Sequence, residues 1–328
     1  MAKRKKKRKK GVSAGVVILS VLLTLSMAAG TVYGLLRWGE SRPVPADLGP
    51  AVASAEKTVS LFIPGESVEG QAPEPARAVM PEMAEPEEYG YEEVLYDQDG
   101  LLVAKIKGKR YVGYIAVVDD PMRLTLGKCP YFSEAAYGRR VDQMADEAGA
   151  VLAVNGGGFS DPGGDGRGGM PTGNVIYQGK MLMGYWSPTV GIDSEGRLYA
   201  GEYDGNTCLN LGLQWAVSYG PTLIQDGKIV KKLDNSMGEP RTAIGQRKDG
   251  AIVLLALQGR QLQALGVTCR ELAVIMKGYG CVNASNLDGG ASSDMYFQGK
   301  YLNVCNTSGG PRPIPTAILV MPPVQKEG

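Results

Sequence analysis

Three stretches of this sequence join residue types that can do chemistry to glycines that let a backbone or a ligand come close. Asn286-Leu287-Asp288-Gly289-Gly290-Ala291-Ser292 sets a carboxylate on a glycine turn after an apolar-leaning run. The two glycines carry no Cβ and leave room beside the acid. Asn155-Gly156-Gly157-Gly158-Phe159 follows the apolar run 151–154 and can present backbone N–H groups to an anion. Glu239-Pro240-Arg241-Thr242-Ala243-Ile244-Gly245 sends an arginine into an apolar strand. A guanidinium held there needs an anionic partner, either a carboxylate of the chain (Asp288 or Glu239) or a bound phosphate. Asp-Gly is also a common hairpin turn, so the aspartate alone decides nothing.

Composition narrows the chemistry. The chain of 328 residues contains no histidine. That excludes a Ser-His-Asp or Cys-His nucleophile pair, a histidine base and the usual His-ligated zinc or iron sites. Catalysis must run on carboxylates, Lys, Arg, Tyr, Cys, amides, backbone dipoles or an oxygen-ligated metal. Cysteines stand at 129, 208, 269, 281 and 305 with no CxxC pair, which argues against zinc. The asparagine turn has neither a P-loop nor Rossmann spacing, so nucleotide binding is not indicated. The formal net charge is +1, but eight basic side chains lie in the first ten residues and the remainder is acidic. Nucleic acid is therefore not an expected partner.

The elements that must position these groups read as strands and turns. Segments 101–107 and 111–118 are strand-like, and Gln178-Gly179, Glu195-Gly196, Asp226-Gly227, Asp249-Gly250 and Gln298-Gly299 are hairpin signals between apolar runs. Helices are expected at 133–148, capped by Ser133, and at 268–277, where Thr268 and Glu271 form a capping box. Ten helical residues rise about 15 Å, so Cys269 and Cys281 are not expected to pair. The expected fold is α+β, a mixed but largely antiparallel β-sheet with few helices, forming a single domain over 93–322. Segment 161–169 of the glycine-rich loop reads as a flexible surface rim.

Ahead of that domain the sequence changes character. Residues 12–36 carry no charge and suffice to span a bilayer. The basic tail 1–11 would hold the N-terminus in the cytoplasm and place the domain outside the cell membrane. A cleaved signal peptide ending near Ser26-Met27-Ala28 is the competing reading; the length of the run favours an uncleaved single-pass anchor. Residues 37–92 are rich in Pro and Glu and read as a stalk, with a short strand at 58–63; residues 323–328 form a polar tail.

Taken in order, Asn155 to Phe159, Gly173-Asn174, Arg241 to Gly245, Gln258-Gly259-Arg260, Gly266-Val267-Thr268 with Glu271-Leu272-Ala273, and Asn286 to Ser292 resemble the phosphodiester glycosidase family. Two positions depart from its pattern: Gly158 stands where an aromatic is usual, and Ala291 where a third glycine is. The resemblance implies hydrolysis of a sugar-1-phosphodiester at the glycosidic bond, in cell-surface or exopolysaccharide glycans. It implies Asp288, Arg241 and Asn155 as catalytic residues. Gly157, Phe159, Gly173, Asn174, Thr242, Gly289, Gly290 and Ser292 would line the substrate, with Glu239 as a second carboxylate. No cofactor is required; Ca²⁺ or Mg²⁺ on Asp288, Asn155 and turn carbonyls is a minority expectation. A polysaccharide-binding module of the same fold and a transglycosylase are the alternatives.

Overall fold

The computed structural model describes residues 89–164, 166–233, 238–262, 264–303 and 310–324. The expected tail 1–11, anchor 12–36 and strand 58–63 lie outside the described residues. So do the stalk up to residue 88, residues 325–328 and Cys305. Among the described residues no helix is long and apolar enough to cross a membrane.

Period-two patterning builds the sheets. In the strand Leu101–Lys107, Leu101 and Val103 enter one core while Leu102, Ala104 and Ile106 enter another. Successive side chains of a strand point to opposite faces, so this strand is covered on both. It belongs to an eight-stranded sheet. The order is Glu93–Gln98, Leu101–Lys107, Val112–Val118, Ile252–Leu257, Arg241–Arg247, Cys281–Leu287, Thr222–Gln225 and Lys228–Ile229. A five-stranded sheet runs Lys180–Met183, Val175–Tyr177, Leu213–Ser218, Ser187–Asp193 and Leu198–Tyr203. A second runs Lys300–Tyr301, Met295–Phe297, Leu152–Asn155, Thr316–Val320 and Leu124–Lys128. The ladders joining these strands are antiparallel throughout, so the largely antiparallel expectation holds and no parallel pairing dilutes it.

One face of the large sheet packs against both smaller sheets, through Val103, Val118, Ile244 and Leu254 on one side and Val154, Trp215, Val217 and Ile318 on the other. The helix Cys269–Gly278 covers the opposite face with Leu272, Ala273, Ile275 and Met276. Its capping box forms as expected: Glu271 N donates to Thr268 Oγ1 (3.1 Å) and Thr268 N to Glu271 Oε2 (2.7 Å). Cys269 and Cys281 are not joined. Tyr89 and Tyr91 pack on Tyr279 behind this helix, with ring centroids 6.2 and 6.0 Å away, so packing begins ahead of residue 93.

The hairpin signals divide into two kinds. Gln178-Gly179, Asp226-Gly227 and Gln298-Gly299 hold both residues at positive φ, the backbone of a two-residue turn. At Glu195-Gly196 and Asp249-Gly250 only the glycine does. The helix expected over 133–148 is shorter, Val141–Ala148. Its first half is drawn into pairing instead: Tyr137 bridges Gly168, Arg139 bridges Ile314, and Ser133 N donates to Gly169 O. Ser133 Oγ caps only a turn, accepting from Ala135 N at 3.2 Å. The same contacts, with Gly138 N donating to Arg167 O, pin the end of the glycine-rich segment at residues 167–169.

Candidate active site

The antiparallel register brings the carboxyl and the guanidinium to neighbouring strand ends. Thr242 pairs with Leu287 and Ala243 with Asn286, so Arg241 stands opposite Asp288 at the ends of neighbouring strands. The pairing continues past the ladder, where Gly290 N donates to Pro240 O at 2.9 Å. A Cβ on Gly289 would lie 4.0 Å from Arg241 Cδ, which runs along the glycine turn. Arg241 Nε donates to Val267 O at 3.2 Å. Its two terminal nitrogens bond to none of the described residues, and no carboxylate among them forms an ion pair with it.

Asn155 ties this sheet to its neighbour. Its Nδ2 donates to Asp288 O at 2.7 Å, and its Oδ1 accepts from Thr242 Oγ1 (2.7 Å) and Asp294 N (3.1 Å). Asp288 N donates to Gly156 O at 3.2 Å. The glycines after Asn155 permit this crossing: a Cβ on Gly156 would lie 2.7 Å from Thr316 O, and one on Gly157 2.7 Å from Ser218 O. Asn155 is fully buried and its amide is committed to the frame, so it is a positioning residue. Asn155→Ala strands three buried polar groups and is expected to cost roughly 3 kcal/mol or more, read by urea unfolding.

Asp288 is densely surrounded yet still touches solvent at the turn. Burial pushes its carboxyl above the ordinary aspartate range, opposed by the Ser292 hydroxyl, the Gly289 N–H and the Arg312 charge. Gly289 N donates to Asp288 Oδ1 at 2.9 Å. Ser292 Oγ is buried and close to the acid, but makes no bond of full hydrogen-bond geometry to the protein.

The other expected residues divide by position. Phe159 forms a wall, with the Arg312 guanidinium 4.7 Å above its ring. Gly173 and Asn174 stand behind the asparagine turn and meet Ser218, whose Oγ accepts from Asn174 N and whose O accepts from Gly158 N. The buried Asn174 side chain orders loops, donating to Thr189 Oγ1 and Tyr203 O and accepting from Tyr185 N, each at 2.8 Å. Glu239 is turned to Arg260, whose Nε donates to its Oε2 at 2.8 Å.

Sequence reasoning missed Arg312, Asp161 and Tyr219. Arg312 Nη2 donates to Asp161 Oδ2 at 2.8 Å, tying two loops across the rim. Arg312 sits between glycines and prolines with no periodic pattern to mark it, whereas Tyr219 immediately precedes Gly220-Pro221, a dipeptide that signals a turn.

Among the described residues no group of three or more Cys, Asp or Glu side chains could hold a metal ion. The Asn155 oxygen expected as a ligand is already taken by two donors. The Ca²⁺ or Mg²⁺ expectation is left with Asp288 and backbone carbonyls.

This antiparallel β chain falls in a known class: the model of the phosphodiester glycosidase family fits residues 148–321. That is more than half of the chain, and the chain belongs to this family. It is 31% identical over 169 residues to the SPbeta prophage-derived uncharacterized protein YomE of Bacillus subtilis, covering 49% of this chain and 26% of that protein. It is 26% identical over 227 residues to mouse N-acetylglucosamine-1-phosphodiester alpha-N-acetylglucosaminidase, covering 60% and 42%. The chain thus spans less than half the length of these relatives. In fold it is similar to the zebrafish N-acetylglucosamine-1-phosphodiester alpha-N-acetylglucosaminidase catalytic domain auto-inhibited by its pro-peptide. There the TM-score is 0.56 at 23% identity, over 71% of this chain and 87% of that one. A hypothetical protein from Synechocystis gives 0.55 at 16%, over 69% and 63%.

Proposed function

We infer that this chain is a hydrolase of sugar-1-phosphodiesters, acting at the bond between the anomeric carbon and the phosphate oxygen. The observation that carries the reading is a carboxyl raised by burial, opposite in register to a guanidinium whose terminal nitrogens bond to none of the described residues. A phosphate leaving group is a weak base and leaves with little proton donation, which suits a chain without histidine. As the bond breaks, positive charge grows on the sugar and negative charge on the phosphate. Ionised Asp288 stabilises the first, as nucleophile or as base for water. Arg241 holds the second in a bidentate grip. Water supplies the oxygen to the sugar, and the products are the free sugar and a phosphomonoester.

The uncharged run 12–36 behind its basic tail supports a single-pass anchor with the domain outside the cell membrane, and hence surface glycans as substrates. The test is incubation with α-N-acetylglucosamine 1-(methyl phosphate). Equal release of reducing sugar and methyl phosphate is expected. Binding without release would mark a glycan-binding module, and sugar transfer to an added acceptor a transglycosylase. No step above uses a metal, so dialysis against EDTA is expected to leave the rate within about twofold; a larger loss restored by Ca²⁺ or Mg²⁺ would assign a metal to Asp288.

A further inference from the structure

Tyr219 is a large aromatic left 41% exposed, yet its backbone is held tightly. Its N donates to Pro188 O at 3.2 Å. On one side of it, Ser218 O accepts from Gly158 N in the asparagine turn. On the other, Gly220 N donates to Asn286 O (3.2 Å) and Asn286 Nδ2 to Gly220 O (2.7 Å), two residues before Asp288. The residue is thus wedged between the Asn155 turn and the acid-bearing strand. Its ring lies over Gly158, where an added Cβ would come within 2.7 Å of the ring carbon Cδ2. Its hydroxyl bonds to none of the described residues.

We propose that Tyr219 is a specificity-determining residue of this site, its ring walling the sugar over Gly158 and its hydroxyl, bonded to none of the described residues, donating to the phosphate that leaves. The inference rests on the hydrolase reading above and assigns it a second phosphate contact beside Arg241. Burial raises the phenol above its ordinary range, and the charge of Asp288 raises it further while Arg241 opposes, so the group stays a proton donor across neutral pH. A hydrogen bond from a neutral donor to an anion is worth about tenfold to a hundredfold when it strengthens as charge builds.

The test compares wild type, Tyr219→Phe and Tyr219→Leu on α-N-acetylglucosamine 1-(methyl phosphate) and on the 4-nitrophenyl glycoside of the same sugar. All three proteins are also titrated with inorganic phosphate, which carries the extra charge the diester gains only as its bond breaks. Tyr219→Phe is expected to lower kcat on the diester by about tenfold or more with KM within about threefold, and to spare the nitrophenyl glycoside. It should weaken phosphate by about tenfold. Tyr219→Leu should in addition raise KM on both substrates, because the wall is gone. Equal loss on both substrates in Tyr219→Phe, or unchanged phosphate affinity, would overturn the inference. A wild type that binds phosphate but leaves the diester intact defeats the hydrolase reading alone, and the titration still decides Tyr219. A wild type that releases sugar from the diester but binds no phosphate defeats the Tyr219 inference alone and leaves the hydrolase reading standing.

Discussion

Asp288→Asn is expected to abolish sugar release and, at neutral pH, to make the protein more stable. The two effects share one cause. The carboxyl is packed where ionisation is costly, and burial outweighs the Ser292, Gly289 and Arg312 contacts that favour the charge. Its pKa is therefore higher in the folded than in the unfolded chain. Between those two values the folded state binds the extra proton, so stability falls as pH rises through the window and stays lowered above it. Asparagine keeps the shape and can still accept from Gly289 N, but never ionises. The variant should unfold at a higher temperature than the wild type at pH 7.5, and the gain should shrink on acidification into the ordinary aspartate range. Activity should fall by about a thousandfold or more, because the group that stabilises the anomeric centre is gone. Thermal unfolding at both pH values, beside a reducing-sugar assay, checks the pair. The wild-type rate should also rise with pH along a limb set by the raised Asp288 pKa, since only the ionised form works. A variant that is inactive but destabilised at pH 7.5 would show that the ordinary packing of Asp288 matters more than its charge.

Much of this arrangement can be read in the chain before folding. Strand periodicity at 101–107 and 241–245, the capping box at Thr268 and the turn dipeptides each depend on a few neighbours, and each formed as its local pattern required. Asp288 and Arg241 were visible because each stands where an apolar strand meets glycine or proline. Their proximity was not, for it follows from a register that pairs Thr242 with Leu287 across intervening sequence. Residues 133–140 went astray for a related reason: their helical spacing lost to backbone bridges with Gly168 and Ile314, partners that no local window contains. Arg312 and Asp161 escaped notice because what matters about them is a contact between two loops 151 positions apart. Asn155 and Asn174 read equally as substrate ligands or as residues that order the loops, since an asparagine among glycines gives no sign of whether its amide faces a cleft or the interior. Burial answers that only in three dimensions, and both face inward.

Arg241→Lys is expected to separate the two halves of the reaction. The substitution keeps a positive charge but removes the planar fork, and an ammonium cannot reproduce bidentate contact with phosphate oxygens. On α-N-acetylglucosamine 1-(methyl phosphate), kcat/KM should drop by about a hundredfold to a thousandfold, the range for losing a donor aimed at developing charge. On the 4-nitrophenyl glycoside the loss should stay below about tenfold, because no phosphate is there to be gripped. Stability should change little, since among the described residues the Arg241 side chain makes one bond, from Nε to Val267 O. Arg260 and Arg312 are poor substitutes: each is already paired, with Glu239 and Asp161, and would have to break that pair to serve the substrate. The same pairing is why the proposed phosphate grip is assigned to Arg241 rather than to either neighbour. An equal loss on both substrates would show instead that Arg241 acts by shaping the glycine turn under Asp288, and the division of labour between acid and guanidinium would fall with it.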